Sequence, residues 1–230
     1  MEAPQQYDIT LSVLIPTLTE RKHSCNRLLH HLNIIKKNYP IEILIEEDEG
    51  ELTTGVKRNM LIDRAKGKFS CFIDDDDDVP DWYFDSIFRL LHNEPDTDCI
   101  GFKGLIIYKD RRGQNKAEVF KHAYGLPYSP GIVHGEYLRP PNHLNPMFTE
   151  YFRAIRFPDL TFAEDYDFCL KLAATDLIKH PKFLNIVMYH YKYTPKPKKD
   201  ESPTKTDITS PAPAPDAIRA DAEAGNTSTE

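Results

Sequence analysis

Short apolar runs alternate with helical stripes along the first half of the chain. Leu11-Ser12-Val13-Leu14-Ile15 reads as a buried strand that Pro16 should end. Thr17 or Thr19 can cap the helix that follows, in which Cys25, Leu28, Leu29, Leu32 and Ile35 fall at helical spacing with Lys and His opposite. Asn38-Tyr39-Pro40 stops that helix. Ile41 to Ile45 is a second strand, with Glu46-Glu47-Asp48-Glu49-Gly50 at its carboxyl end. Thr53-Thr54-Gly55 leads into a basic helix holding Lys57, Arg58 and Asn59, which Gly67 should close, and a third strand then runs through Phe72 and Ile73. This β-α-β-α-β order with short connections predicts a parallel, doubly wound α/β sheet. Ligands of such sheets bind outside the carboxyl ends of the strands. Pro16-Thr17, Glu47-Asp48 and the residues after Ile73 all fall there.

Past this point the pattern loosens. Phe84, Ile87, Phe88 and Leu91 stripe a helix that Asp81 could cap, and Ile100 to Tyr108 is strand-like. Residues 109–140 scatter Gly, Pro and Tyr among pieces such as Gly131-Ile132-Val133-His134, which suggests loops and short antiparallel strands forming the second half of a substrate cleft. A helix with Phe148, Tyr151, Phe152 and Ile155 on one face follows. The next helix, from Glu164, would align Asp165 with Phe168, Cys169, Leu172 and Ala173. A last strand, Phe183 to Tyr193, carries His190. Residues 8–193 therefore read as one domain, with a parallel α/β half at 8–108 and a smaller mixed half at 109–193. Residues 1–7 read as a flexible N-terminus. The stretch 194–230, rich in Pro, Lys, Ala, Thr, Asp and Glu, is too poor in apolar side chains to offset chain entropy and reads as a disordered tail.

Composition narrows the class. Of 230 residues, 40% are hydrophobic and 28% charged, which suits a globular core, and the net charge of −7 argues against a general nucleic-acid surface. Cys25, Cys71, Cys99 and Cys169 form no Cys-x-x-Cys pair and read as reduced core residues. No signal peptide or membrane-spanning run is visible, so a cytoplasmic protein with no transmembrane segment is expected.

Chemistry concentrates in Asp74-Asp75-Asp76-Asp77-Asp78. Five adjacent carboxylates repel one another. A solvated acidic turn is the plain reading, but the run is pinned between a buried strand and a patterned helix. A divalent cation taking hard oxygen ligands would relieve the repulsion. Asp165 is either a favourable charge on its helix dipole or a partly desolvated carboxylate whose raised pKa suits a general base. His190 is either a packed residue or a metal ligand. Other classes fit less well. Asp74, Asp76, Asp78 and Asp85 take EF-hand positions, but Val79 stands where glycine is needed and a strand precedes. Asp75-x-Asp77-x-Val79 resembles a haloacid dehalogenase motif, but two strand–helix units come before it. A nucleotidyltransferase would want a Gly-rich basic loop where Pro16-Thr17-Leu18-Thr19-Glu20 stands. A binding or scaffold protein without activity is the remaining alternative.

Taken together, these residues resemble the family 2 glycosyltransferases, which have the GT-A fold. Leu11 to Thr17 is similar to that family's first strand, and Glu42 to Asp48 to its second. Arg58-Asn59, then Ala65-Lys66-Gly67-Lys68-Phe69, then Phe72-Ile73-Asp74-Asp75-Asp76-Asp77 resemble its Arg-Asn, Ala-Lys-Gly and Asp-x-Asp signature, and Glu164-Asp165 its Glu-Asp motif. The resemblance spans residues 9–193. It implies a GT-A domain with a Rossmann-like nucleotide half and a smaller acceptor half, transferring a sugar with inversion from a nucleoside diphosphate, UDP being favoured. Pro16 and Thr17 would line the nucleotide pocket, Asp48 or Glu47 would contact the base, and Arg58 the base or phosphate. Asp74 and Asp75 would lie at the donor. Asp74 and Asp76 would hold Mn²⁺ or Mg²⁺, with Asp76 the first choice as direct ligand and His190 as a further candidate. Asp165 would be the base. The acceptor implied is a glycan, a protein side chain or a modified nucleic-acid base. Two departures stand out: Glu47-Asp48-Glu49 replaces the usual Asp-Asp-Gly, and the five-fold run leaves the metal-ligand register open by one residue.

Overall fold

A computed structural model describes residues 10–110 and 112–193. Strand β1 (Leu11–Leu18) leads through a 3₁₀ turn (Thr19–Arg21) into helix α1 (Lys22–Ile35). Strand β2 (Ile41–Asp48), helix α2 (Thr54–Arg64), strand β3 (Phe69–Phe72) and helix α3 (Tyr83–Asn93) follow. The second half holds β4 (Cys99–Lys109), β5 (Asn115–His122), β6 (Ile132–Val133), β7 (Glu136–Arg139), β8 (Met147–Phe148), α4 (Thr149–Ile155), α5 (Glu164–Ala173) and β9 (Pro181–Lys192). Among the described residues nine strands join one sheet in the order β2-β1-β3-β8-β4-β5-β7-β6, with β9 paired to β4 off this path. β2, β1 and β3 are parallel. β8 then pairs antiparallel with β3 and β4 and switches the sheet from its parallel to its mixed half. The flexible N-terminus and the tail expected from sequence lie outside the described residues, and no described helix is long and apolar enough to cross a membrane.

Helices cover both faces of the sheet. On one face Leu28, Leu32 and Ile35 of α1 and Phe84 and Ile87 of α3 pack against Val13, Ile15 and Cys71. On the other, Leu61 and Ile62 of α2, Phe152 of α4 and Phe168 and Leu172 of α5 enclose Leu14 and Phe72. Phe168 is fully buried and stacks on Phe157 at 4.4 Å and on Phe152 at 5.2 Å between ring centroids. That aromatic stack fixes α5, and with it the Glu-Asp pair, against the mouth of the sheet.

Several local expectations are corrected. Pro16 does not end β1, which continues to Leu18 in register with Asp48. The carbonyl of Leu14 accepts from the Ile73 N–H, so the backbone at positions 14 and 16 points toward β3. Pairing with β3 stops at Phe72, and the missing N–H of Pro16 therefore breaks no ladder bond. Neither Thr17 nor Thr19 caps α1; the 3₁₀ turn intervenes and Arg21 occupies the cap position without a side-chain bond. Trp82, not Asp81, precedes α3. Gly67 does not close α2, which ends at Arg64; it lets the chain pass so close to β1 that a Cβ there would meet the Ser12 nitrogen at 2.6 Å. In α5 the buried stripe is Glu164, Phe168, Cys169 and Leu172. Glu164 takes the inward position expected of Asp165, and Ala173 is exposed.

α2 is capped by Thr53, whose hydroxyl accepts from the Val56 N–H at 3.2 Å. Its next residue but one, Gly55, lies against the segment leading to α5: its N–H donates to the Leu160 carbonyl at 2.9 Å, and an added Cβ would sit 1.8 Å from the Pro158 oxygen. Because backbone must yield, Gly55→Ala should destabilise the fold by about 1–3 kcal/mol in urea titration, the usual cost of overpacking.

Candidate active site

The acidic run forms a turn in which the Asp77 N–H donates to the Asp74 carbonyl at 3.0 Å. Its side chains are not alike. Asp75 and Asp77 are each 1% exposed, whereas the Asp76 side chain is 52% exposed. Every carboxylate has a partner, and several partners serve two aspartates. Asp74 pairs with Arg58 at 3.0 Å. Asp75 accepts from the Thr17 hydroxyl at 2.5 Å and pairs with Arg21 at 2.7 Å, and Arg21 also pairs with Asp76. Asp77 accepts from the Tyr189 hydroxyl and the Lys192 backbone N–H, both at 2.8 Å. Asp78 pairs with the Lys192 ammonium at 3.0 Å. The Tyr189 oxygen also accepts from the Asp74 N–H at 3.1 Å, which ties β9 to the turn. Burial pushes the Asp75 carboxyl up, though Thr17 and Arg21 oppose it, and pushes Asp77 well above the ordinary range. Burial acts the same way on Asp74, but the Arg58 guanidinium and the His143 ring together outweigh it and hold this carboxyl down.

Arg58 is itself buried at 3% exposure. Its Nε donates to Glu164 at 3.2 Å, and its guanidinium lies over the Phe72 ring at 4.9 Å from the centroid. A charge so placed needs its pairing. Arg58 therefore joins the acidic turn to α5 rather than reaching the ends of β1 and β2. Lys57, also buried, donates to the Thr17 carbonyl at 2.8 Å and to Asp48 at 2.6 Å. Asp48 further accepts from the Leu52 N–H at 2.7 Å. Glu47 is exposed. Pro16 and Thr17 lie at the carboxyl end of β1 beside these groups. A depression of about 430 Å³ opens there, lined by Leu18, Thr19, Glu20, Glu49 and Gly50.

Asp165 sits on the first turn of α5, and its side chain is 36% exposed. The chain enters that helix through Ala163 in the left-handed region at φ 62°, a conformation uncommon outside glycine. Asp165 Oδ2 stands 3.9 Å from Nδ1 of His143, whose Nε2 stands 3.6 Å from Asp74 Oδ2. His190 is elsewhere. Side chains alternate along a strand, so Tyr189 meets the aspartates while His190 lines a second depression, of about 440 Å³, with Arg27, His31, Asp78 and Trp82. The structure thus gathers Asp74, Asp75, Asp76 and Arg58 at the acidic turn, sets Asp165 across His143 from Asp74, and turns the His190 side chain away from them.

Sequence reasoning missed Arg21, His143, Glu164 and Tyr189 as parts of this site. Glu164 was visible in the Glu-Asp pair but was given no job. Nothing local marks His143, whose place depends on the loop 140–146. That loop is a buried polar knot: Asn145 Oδ1 accepts from the Asn142 N–H at 3.0 Å, and its amide donates to the Ile100 carbonyl at 2.9 Å. His122 Nδ1 lies 3.3 Å from the same Asn145 oxygen.

The fold is of the GT-A type, a mixed α/β sheet flanked by helices. S. aureus TarS 1–349 in complex with UDP-GlcNAc matches it with a TM-score of 0.60 at 17% identity, over 82% of this chain and 60% of that one. The complex of TarS 1–349 with UDP gives 0.57 at 18% identity, over 81% and 61%. A further S. aureus TarS structure gives 0.53 at 16% identity, over 80% and 37%. This chain thus spans about 60% of TarS 1–349. No protein-family model matches the sequence, and no curated protein matches it at a significant level.

The buried knot has a pH signature. Burial, with Arg139 nearby, lowers the His122 pKa to about 3. In the unfolded chain it protonates below its ordinary value of about 6.5, while the folded state stays neutral. Its contribution is therefore full above pH 6.5 and is lost as pH falls toward 3, at up to about 1.4 kcal/mol per pH unit. Urea unfolding between pH 6 and 4 should show a shallower loss of stability for His122→Gln than for the unaltered chain.

Proposed function

We propose that this chain is an inverting glycosyltransferase of the family 2 type that moves a sugar from UDP to an acceptor hydroxyl on a glycan, protein or modified nucleic-acid base. The observation that carries this reading is the convergence of Asp74, at the end of β3, and Asp165, at the start of α5, on the two nitrogens of one imidazole. Donor-side and acceptor-side carboxylates thereby lie close together at the strand ends where α/β sheets bind ligands. Similarity to TarS structures that hold UDP-GlcNAc and UDP supports a uridine nucleotide as donor.

In this reading Pro16 and Thr17 border the nucleotide, and the depression at the ends of β1 and β2 takes the base beside Asp48 or Glu47. The side chains suit Mn²⁺ or Mg²⁺. Asp76 and Asp74 offer hard carboxylate oxygens, and Asp76 is half-exposed. No group of three His, Cys, Asp or Glu among the described residues is arranged to hold an ion alone. Such ions commonly take one or two carboxylates and complete their shell with substrate phosphates. When bound, the ion supplies positive charge against the departing diphosphate. Arg21 and Arg58 keep the acidic turn folded, and Asp75 holds Thr17 in place. Asp165 accepts the proton of the hydroxyl that attacks the anomeric carbon from the face opposite the leaving UDP, which inverts the centre.

Two measurements test this. UDP with Mn²⁺ should raise the melting temperature by about 5–10 °C at a hundredfold excess over Kd, and Asp76→Asn should remove the metal-dependent part. UDP release from UDP-GlcNAc should fall by about 10²–10⁴ in Asp165→Asn. A shift with UDP but no release by the unaltered chain would leave a nucleotide-sugar-binding protein, and no shift with any nucleotide would remove the proposal.

A further inference from the structure

His143 is 4% exposed, yet neither ring nitrogen has a hydrogen-bond partner. Buried polar side chains are nearly always bonded, and an imidazole left unpaired away from water is costly. The two nitrogens face Asp165 at 3.9 Å and Asp74 at 3.6 Å. Both gaps exceed a hydrogen bond by less than about an ångström.

The imidazole is the fixed member of these pairs. The His143 carbonyl accepts from the Phe72 N–H at 2.9 Å, which ties the residue to the end of β3. Its ring stands edge-on to Phe72, 6.2 Å between centroids. On either side, Asn142 Oδ1 accepts from the Leu144 N–H at 3.0 Å, and Asn145 is held by Ile100. Asp165, by contrast, is a part-exposed carboxylate, 3.9 Å from His143 Nδ1. A base that must meet a hydroxyl at hydrogen-bond distance needs a defined orientation.

We propose that His143 is a positioning residue for Asp165: with donor bound, Nδ1–H donates to Asp165 Oδ2 and leaves Oδ1 facing the acceptor hydroxyl. This rests on the reading of Asp165 as the base. The proton of the hydroxyl passes to Oδ1, while His143 keeps the proton on Nδ1 throughout. The role is one of geometry, in the way that groups behind metal or catalytic ligands fix their orientation.

Asparagine can present an N–H one atom beyond Cγ, as Nδ1 does, whereas leucine fills volume without a donor. With UDP-GlcNAc, Mn²⁺ and water as acceptor, His143→Leu should lower the rate of UDP release about 10–100-fold with donor KM little changed. His143→Asn should recover most of it, and His143→Leu should add no further loss to Asp165→Asn. A second readout needs no turnover: in the UDP–Mg²⁺ complex, imidazole ¹⁵N spectra should show the His143 proton on Nδ1, and Asp165→Ala should disturb that signal. Equal losses in the leucine and asparagine variants with lowered melting temperatures would make His143 a space-filling residue. A raised donor KM with unchanged kcat would move it to the donor site, and an Nδ1 without a proton in the complex would overturn the proposal outright. If Asp165→Asn keeps full turnover, the base assignment fails first; if Asp165→Asn is inactive while His143→Leu is not, only the positioning role fails.

Discussion

Five carboxylates in succession can occupy one turn only if each is given something of opposite character to face. At an effective dielectric of about 20, two unit charges 4 Å apart interact by about 4 kcal/mol, so an unrelieved run would unravel the turn or draw protons. The fold meets this by recruiting from all sides. α2 supplies Arg58 to Asp74, the turn after β1 supplies Arg21 to Asp75 and Asp76, and β9 supplies Tyr189 and Lys192 to Asp77 and Asp78. Elements remote in sequence are thereby held at one point. Breaking a buried pair of this kind typically costs about 3–5 kcal/mol, so the acidic turn works as a constraint on architecture as well as a place for chemistry.

Much of this was legible wherever one physical rule dominated. Apolar runs gave β1, β2 and β3, and the stripes of α1 and α3 followed from helical period alone. The scattered glycines and prolines after β4 foreshadowed short strands there, but not the parallel pairing of β7 with β5 or the switch at β8. What could not be read depends on neighbours. Pro16 looks like a strand terminator because the sequence does not show that β3 stops pairing at Phe72. The threonines near α1 look like caps because nothing announces that Thr17 is needed by Asp75. His190 looks like a ligand until strand parity is known, and β9 shifts register twice against β4, between Phe102 and Lys103 and between Lys103 and Gly104. His143 carries no local signal at all.

The Glu-Asp pair shows how adjacent side chains divide labour. A helix turns about 100° per residue, so Glu164 and Asp165 cannot share an environment. Glu164 points inward, where burial raises its pKa and Arg58 resists that rise. Asp165 stays at the rim. The inward member anchors α5 to the sheet through Arg58, and the outward member is thereby left to meet whatever enters the cleft. Reading the pair as a single acidic motif hides this; the two residues answer to different constraints.

The bonds from β9 to the acidic turn set an order of events during synthesis. Asp77 and Lys192 are 115 positions apart, and the hydroxyl that joins Asp74 to Asp77 belongs to the same late strand. When the ribosome reaches α5, the aspartates have left the exit tunnel while Tyr189 and Lys192 are not yet translated. In that interval solvent and mobile ions must screen them, and the nascent parallel half presents a mouth that is negatively charged and open. Cotranslational maturation of this protein should therefore be sensitive to ionic conditions until α5 and β9 have closed on the sheet.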